Sequence, residues 1–409
     1  MIRLFVILIL PLLFSCNTTV DKMATKPSGM PNFIFIMLDE WAYFELSSMG
    51  HPQIQTPNID RFASEGIRFT QCLAGGNVCA PTRSALMMGQ HTGHVSRRYN
   101  SPTGTIRADE ITIAQVLKEA GYKSGGFGKW GLGHRGTTGV PEIHGFDEFY
   151  GYYHQVHAHC YYPNYLIHNG EKVPLEGNSG DHYRGEQYSH YLIFEESKRF
   201  IRENKDRPFF AYFAWTPPHG TYTLPETDPS WQIFKDKPWP QEREEPSGPK
   251  AYAAMVHMVD RHIGEILALL RELDLEENTL IFVAGDNGGQ ARFKSEEYPD
   301  GFFSPNRNPK TGELFRGGKG DFYEGGLRIP MMVRWPGKIQ GGLVSDFLWY
   351  FPDVMATLAE LAGLEKPAQI DGISLAPLLL GEETAGRKQE EHEYLFWESR
   401  GSIAVRIGT

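Results

Sequence analysis

Three continuous apolar runs of strand length constrain the fold of this chain more than any other feature. Residues 32–38 read NFIFIML, residues 209–214 read FFAYFA, and residues 279–284 read TLIFVA. None alternates apolar with polar positions, so none suits a sheet with one wet face. Each suits a strand covered on both sides. Helical patterns lie around them, over residues 58–65, 112–120 (closed by Gly121), 189–204, 251–273 and 353–361. Tyr122 to Phe127 and Pro330 to Val333 read as further strands. Alternation of this kind predicts an α/β fold with a mostly parallel central sheet flanked by helices. At 409 residues the chain can build one large domain with an appendage. Pro225 to Pro249 and Tyr298 to Gly320 are rich in turn-forming residues and read as long loops of the site-forming kind.

Acidic residues number 50 against 40 lysines and arginines, a net charge of −10. That balance argues against nucleic acid as a partner, and an anionic substrate would need a local cationic pocket. At the N-terminus Arg3 precedes an apolar run, Leu4 to Leu13, too short to span a bilayer. It ends in Leu13-Phe14-Ser15-Cys16, which resembles a bacterial lipobox. The expectation is a lipoprotein signal peptide over residues 1–16, lipidation of Cys16, and a polar linker over residues 17–30. The protein is then exported and anchored in the periplasm or at the outer-membrane surface, touching membrane only through that lipid. Cys72 and Cys160 could pair, although nothing in the sequence shows it, and four cysteines do not make a disulfide scaffold.

The chemistry gathers in short polar segments. Cys79-Ala80-Pro81-Thr82-Arg83 leads into an apolar helical pattern that starts at Thr82 and runs to Met88. Pro81 suits a first helical turn, so position 79 lies at a helix end that favours anions, and Arg83 is one turn further on. A lone cysteine there is as often a small buried residue as a reactive one. Asp39-Glu40 follows the first apolar strand and Asp286-Asn287 follows the 279–284 strand. Taken singly, each pair reads as a turn or helix-cap acid. Both, however, lie beyond the carboxyl ends of strands, where open α/β sheets bind ligands. Carboxylates plus an amide oxygen favour Ca²⁺, or less well Mg²⁺, over zinc. Lys129 sits in a glycine-rich stretch, His219 in Thr216-Pro217-Pro218-His219, and Lys319 in Gly317-Gly318-Lys319-Gly320.

In this order these segments resemble the type I, formylglycine-dependent sulfatases, in an arylsulfatase-like bacterial lipoprotein form. The resemblance implies an alkaline-phosphatase-like fold and hydrolysis of sulfate monoesters. It implies that a formylglycine-generating or anaerobic maturation enzyme oxidises Cys79 to formylglycine, whose hydrate is the nucleophile. It assigns Arg83, Lys129 and Lys319 to the sulfate, His219 to protonation of the leaving alcohol, and Asp39, Glu40, Asp286, Asn287 and residue 79 to Ca²⁺. Two positions depart from the pattern. Glu40 stands where an aspartate is usual. Gly131 stands where a histidine that helps release sulfate is common, with His134 near in sequence as a substitute.

Gly151 to Pro163 is dense in tyrosine and histidine and reads either as a sugar-stacking surface or as a packed aromatic loop. A sulfated saccharide is the expected substrate. Two other readings remain at this stage: a phosphatase or phosphodiesterase of the same superfamily, and a non-catalytic anchored glycan-binding protein. The catalytic domain is expected over residues 31–385. Residues 386–409 read as the start of a small antiparallel subdomain, incomplete here because sulfatases continue further.

Overall fold

The computed structural model describes residues 29–408. The expected signal segment, Cys16 and most of the expected linker lie outside them. In chain order the strands among the described residues are β1 (Asn32–Leu38), β2 (Ile67–Phe69), β3 (Cys72–Leu73), β4 (Lys123–Lys129), β5 (Glu148–Tyr152), β6 (Tyr165–His168), β7 (Glu171–Pro174), β8 (Phe209–Trp215), β9 (Thr279–Gly285), β10 (Met331–Arg334), β11 (Leu343–Ser345), β12 (Trp349–Tyr350), β13 (Leu395–Ser399) and β14 (Ser402–Arg406). Ten of them form one sheet in the order β11-β2-β10-β9-β1-β8-β4-β5-β6-β7.

The centre of this sheet, β9-β1-β8-β4-β5, is parallel throughout. Antiparallel pairings flank it on both sides: β10 runs against β9 and β2, with β11 parallel to β2 at that edge, and β6 runs against β5 and β7. The α/β expectation therefore holds at the core. Of the margin strands β10 matches the expected Pro330 to Val333 strand, whereas β7, with its mostly exposed residues, carries too little apolar signal to be read from sequence. Alternate side chains of β1 enter two separate cores. Ile34, Ile36 and Leu38 face one, while Phe33, Phe35 and Met37 face the other. Each such side chain contributes about 1.5–3 kcal/mol by leaving water, which is why this strand sits in the middle.

The helix Cys79–Met88 begins at Cys79 itself, three residues earlier than the sequence pattern suggested, after Val78 in extended conformation. All ten of its residues are buried, so it carries no amphipathic stripe that would mark its start. The helix Ile113–Glu119 is closed at its start by a Thr112–Gln115 capping box. Within the expected 225–249 loop lies a short helix, Pro229–Phe234, capped by Asp228, which accepts from the Ser230 amide at 2.6 Å. Tyr152, Tyr153, Tyr161 and Tyr162 are buried, so these rings pack rather than present a sugar-stacking surface. Cys72 and Cys160 are buried free thiols. The strands β13 and β14 form the expected C-terminal antiparallel hairpin.

Candidate active site

Strand order assembles the site. β9, β1, β8 and β4 are consecutive neighbours, so their carboxyl ends lie side by side. Those ends deliver Asp286-Asn287, Asp39-Glu40, the Thr216–His219 turn and Lys129. Lys129 is placed by a close strand approach. A Cβ at Gly128 (φ +116°) would lie 2.1 Å from the Ala214 carbonyl oxygen of β8, so only glycine permits this spacing. The buried helix then presents Cys79 from its first turn.

Asp39 is the hub. Its Oδ1 accepts from the Cys79 thiol at 3.2 Å, and its Oδ2 lies 2.5 Å from Lys129 Nζ and 3.5 Å from Arg83 Nη2. Cys79 Sγ is also 3.7 Å from Asn287 Oδ1. Arg83 Nη2 reaches Asp286 Oδ2 at 3.4 Å, while its Nη1 donates to the Lys129 carbonyl at 2.6 Å. The guanidinium is thereby held in one orientation. The side chains of Arg83, Lys129, Asp39 and Asp286 do not meet solvent.

Electrostatics follow from this crowding. Burial alone would raise the Asp39 carboxyl, but Lys129, His219 and Arg83 more than offset it and hold it well below the usual carboxylate range. For Asp286 burial and the Asp39 charge win, and its carboxyl is pushed up to about 7. Burial and Asp39 also push the Cys79 thiol well above its ordinary value. An unmodified Cys79 is therefore not a thiolate nucleophile. Two carboxylates in contact, one of them reluctant to ionise, fit a site built for a divalent cation. Asp39, Asp286, Asn287 and an oxygen at residue 79 make a hard donor set for it.

Glu40 behaves differently. Its backbone adopts φ +61°, rare for a non-glycine residue, and its amide donates to Asp286 Oδ1 at 3.0 Å. Its carboxylate contacts Lys319 Nζ, lies 3.1 Å from His219 Nε2 and 3.5 Å from Arg292 Nη2. The extra methylene thus carries this acid to the cations at the mouth. His219 Nδ1 is 2.6 Å from the Gly220 carbonyl oxygen. His219 and Lys319 keep side-chain exposures of 12% and 15%, against 0% for Lys129, so the site opens on their side. Burial holds the His219 ring down at about 4 and the Lys319 ammonium at about 8.

One residue of this cluster was not singled out from sequence. His159 Nε2 lies 3.3 Å from Lys129 Nζ, and its ring stacks on His219 with centroids 3.9 Å apart and planes 16° apart. Its only sequence signal was membership of the histidine-rich 151–163 stretch. His134 is not brought here; its ring packs edge-on against His154 at 6.4 Å. Gly131 has φ +78°, and a Cβ there would stand 3.2 Å from Gln155 Cγ and 3.4 Å from Arg83 Cδ.

Comparison with known proteins bears on the family and the fold. A family model described as Sulfatase matches residues 31–364. The chain is 30% identical over 383 residues to the N-acetylgalactosamine-6-sulfatase of Canis lupus familiaris, covering 87% of this chain and 67% of that protein. It is 31% identical over 407 residues to arylsulfatase A of Homo sapiens, covering 92% of this chain and 73% of that protein. The crystal structure of Ps i-CgsB in complex with k-i-k-neocarrahexaose superposes with a TM-score of 0.75 at 26% identity, over 92% of this chain and 82% of that one. The chain spans about two thirds of the length of the N-acetylgalactosamine-6-sulfatases it matches.

Proposed function

Because the chain belongs to the sulfatase family, we propose that it hydrolyses sulfate monoesters of sulfated carbohydrate, with Cys79, converted to formylglycine, as its nucleophile. The carrying observation is the position of residue 79, between Asp39 and Asn287 at the edge of a sealed cluster of Arg83 and Lys129. Hydrated formylglycine supplies an attacking oxygen plus a second hydroxyl, and Ca²⁺ held by Asp39, Asp286, Asn287 and residue 79 supplies charge neutralisation.

The chain's own residues do the rest. A sulfate ester resists attack because its oxygens repel the nucleophile. Arg83 and Lys129 place two fixed cations on the dry side of the site, where they need no reorganisation during reaction. Lys319 adds a third at the mouth. His219, also at the mouth, lies where the alcohol must leave and gives its oxygen a proton. Glu40 holds Lys319 and His219 together on that side.

A saccharide is the alcohol we favour, since similar proteins include an N-acetylgalactosamine-6-sulfatase and a protein crystallised with a neocarrahexaose. We further propose export, lipid anchoring at Cys16 in the periplasm or at the outer-membrane surface, and maturation by a formylglycine-generating or anaerobic enzyme.

The test is sulfate release from a panel of defined sulfated saccharides by matured, calcium-loaded protein, with Cys79→Ala as control and phosphate esters as a parallel panel. Release dependent on residue 79 is the expected result. Hydrolysis of phosphate esters alone, or no turnover by fully converted protein, would count against the reading.

A further inference from the structure

We propose that His159 is a further catalytic residue of this centre, filling the proton-transfer place that a glycine at position 131 cannot. The inference rests on the sulfatase reading and concerns its second step. Hydrolysis through a covalently sulfated enzyme needs two proton transfers of opposite sense. One proton goes to the leaving alcohol, and another must leave the hydroxyl that later expels sulfate. His219 serves the first from the mouth. The second needs a base beside the cations that hold sulfate.

His159 stands there. Its Nε2 is 3.3 Å from Lys129 Nζ, and an ammonium can only donate, so that nitrogen is an acceptor and the ring is neutral. Burial, Lys129 and His219 hold the ring down at about 2, opposed by Asp39. The groups facing it are Lys129, His219, Asp39 and Arg83. Its stacking on His219 matters as well. Two positive rings with centroids 3.9 Å apart would repel. Protonation of either ring therefore disfavours protonation of the other, so one can serve as acid only while the other is a free base. Gln155, on the same turn, fills the space beyond Gly131. A loop histidine has thus replaced a strand-end one.

In the proposed step His159 Nε2 takes the hydroxyl proton at residue 79. The freed O–H electron pair becomes the carbonyl bond, the carbon–oxygen bond to sulfate breaks, and its pair leaves on sulfate. Water then removes the proton from His159.

The test compares matured, calcium-loaded wild type, His159→Ala, His159→Gln and a His134→Ala control. The rate of sulfate release is measured, and acid-quenched peptides spanning residue 79 are weighed. Both His159 variants are expected to lose roughly 10²–10⁴-fold in turnover and to retain an SO₃ group on that peptide, while His134→Ala behaves as wild type. Glutamine can still accept from Lys129 but cannot act as a base, so rescue by His159→Gln would overturn the proposal. So would wild-type turnover by His159→Ala, or lost turnover without sulfur held at residue 79. A wild type that releases no sulfate from any ester sinks the sulfatase reading and this inference together; an active wild type matched by an equally active His159→Ala sinks the inference alone.

Discussion

Lys129 Nζ lies 2.5 Å from Asp39 Oδ2, and neither side chain meets solvent. A buried pair of this kind is costly to break, because removing one charge strands the other. Lys129→Met should destabilise the fold by about 3–5 kcal/mol, towards the lower end because Arg83 stands 3.5 Å from the same oxygen. Urea unfolding measures this, and an unchanged midpoint would show that Asp39 does not depend on Lys129.

Cys79→Ala should leave the fold intact and lower sulfate release by roughly 10³-fold or more. The unconverted cysteine should also alkylate slowly in native protein, since burial and Asp39 hold its thiol protonated. Mass spectrometry after timed iodoacetamide treatment reads this directly. Rapid labelling at neutral pH would contradict the buried, acid-flanked setting.

Calcium and protons compete at Asp286. Its carboxyl is raised to about 7, above its ordinary 3.8, so the folded metal-free protein keeps a proton that the unfolded chain has lost. Stability from this group is complete below the ordinary carboxylate range and is lost as pH rises through it to about 7, by up to about 1.4 kcal/mol per pH unit, levelling off above. Asp39, held low, acts in the opposite sense but only as pH falls below that range. Chelator-treated protein should therefore melt progressively lower from pH 5 to 8, whereas calcium-loaded protein should not. Asp286→Asn should flatten the metal-free curve. Scanning fluorimetry across pH settles it.

His219→Ala should separate substrates by leaving group. With a saccharide sulfate the departing alkoxide needs a proton, and kcat/KM should fall by roughly 10²–10⁴-fold. With an acidic phenol as leaving group the loss should be much smaller. Equal losses on both substrates would remove His219 from the acid role.

Restoring histidine at position 131 should not help. Gly131 has φ +78°, and a Cβ there meets Gln155 Cγ at 3.2 Å. Gly131→His is expected to cost about 1–3 kcal/mol and to leave the His159→Ala defect uncorrected. A stable double variant with recovered turnover would mean that the two positions are interchangeable.

The sequence by itself determined the parallel centre of the sheet and most of the cluster around residue 79. The runs that became β1, β8 and β9 are apolar at nearly every position, and burial on both faces leaves few other places for such strands. Asp39 and Asp286, read as strand-end acids, do meet beside Cys79, because neighbouring parallel strands end on the same side. Tertiary structure alone decided the rest. The start of the Cys79 helix was hidden because the helix is buried on every side. The direction of the Glu40 carboxylate depends on a left-handed backbone and on cations from distant loops, Arg292 and Lys319. His159 reaches Lys129 across 30 residues of chain by a loop return, and no periodicity encodes such a contact. Burial leaves its mark on the order of residues along a strand, whereas a meeting of loop side chains exists only once the chain has closed on itself.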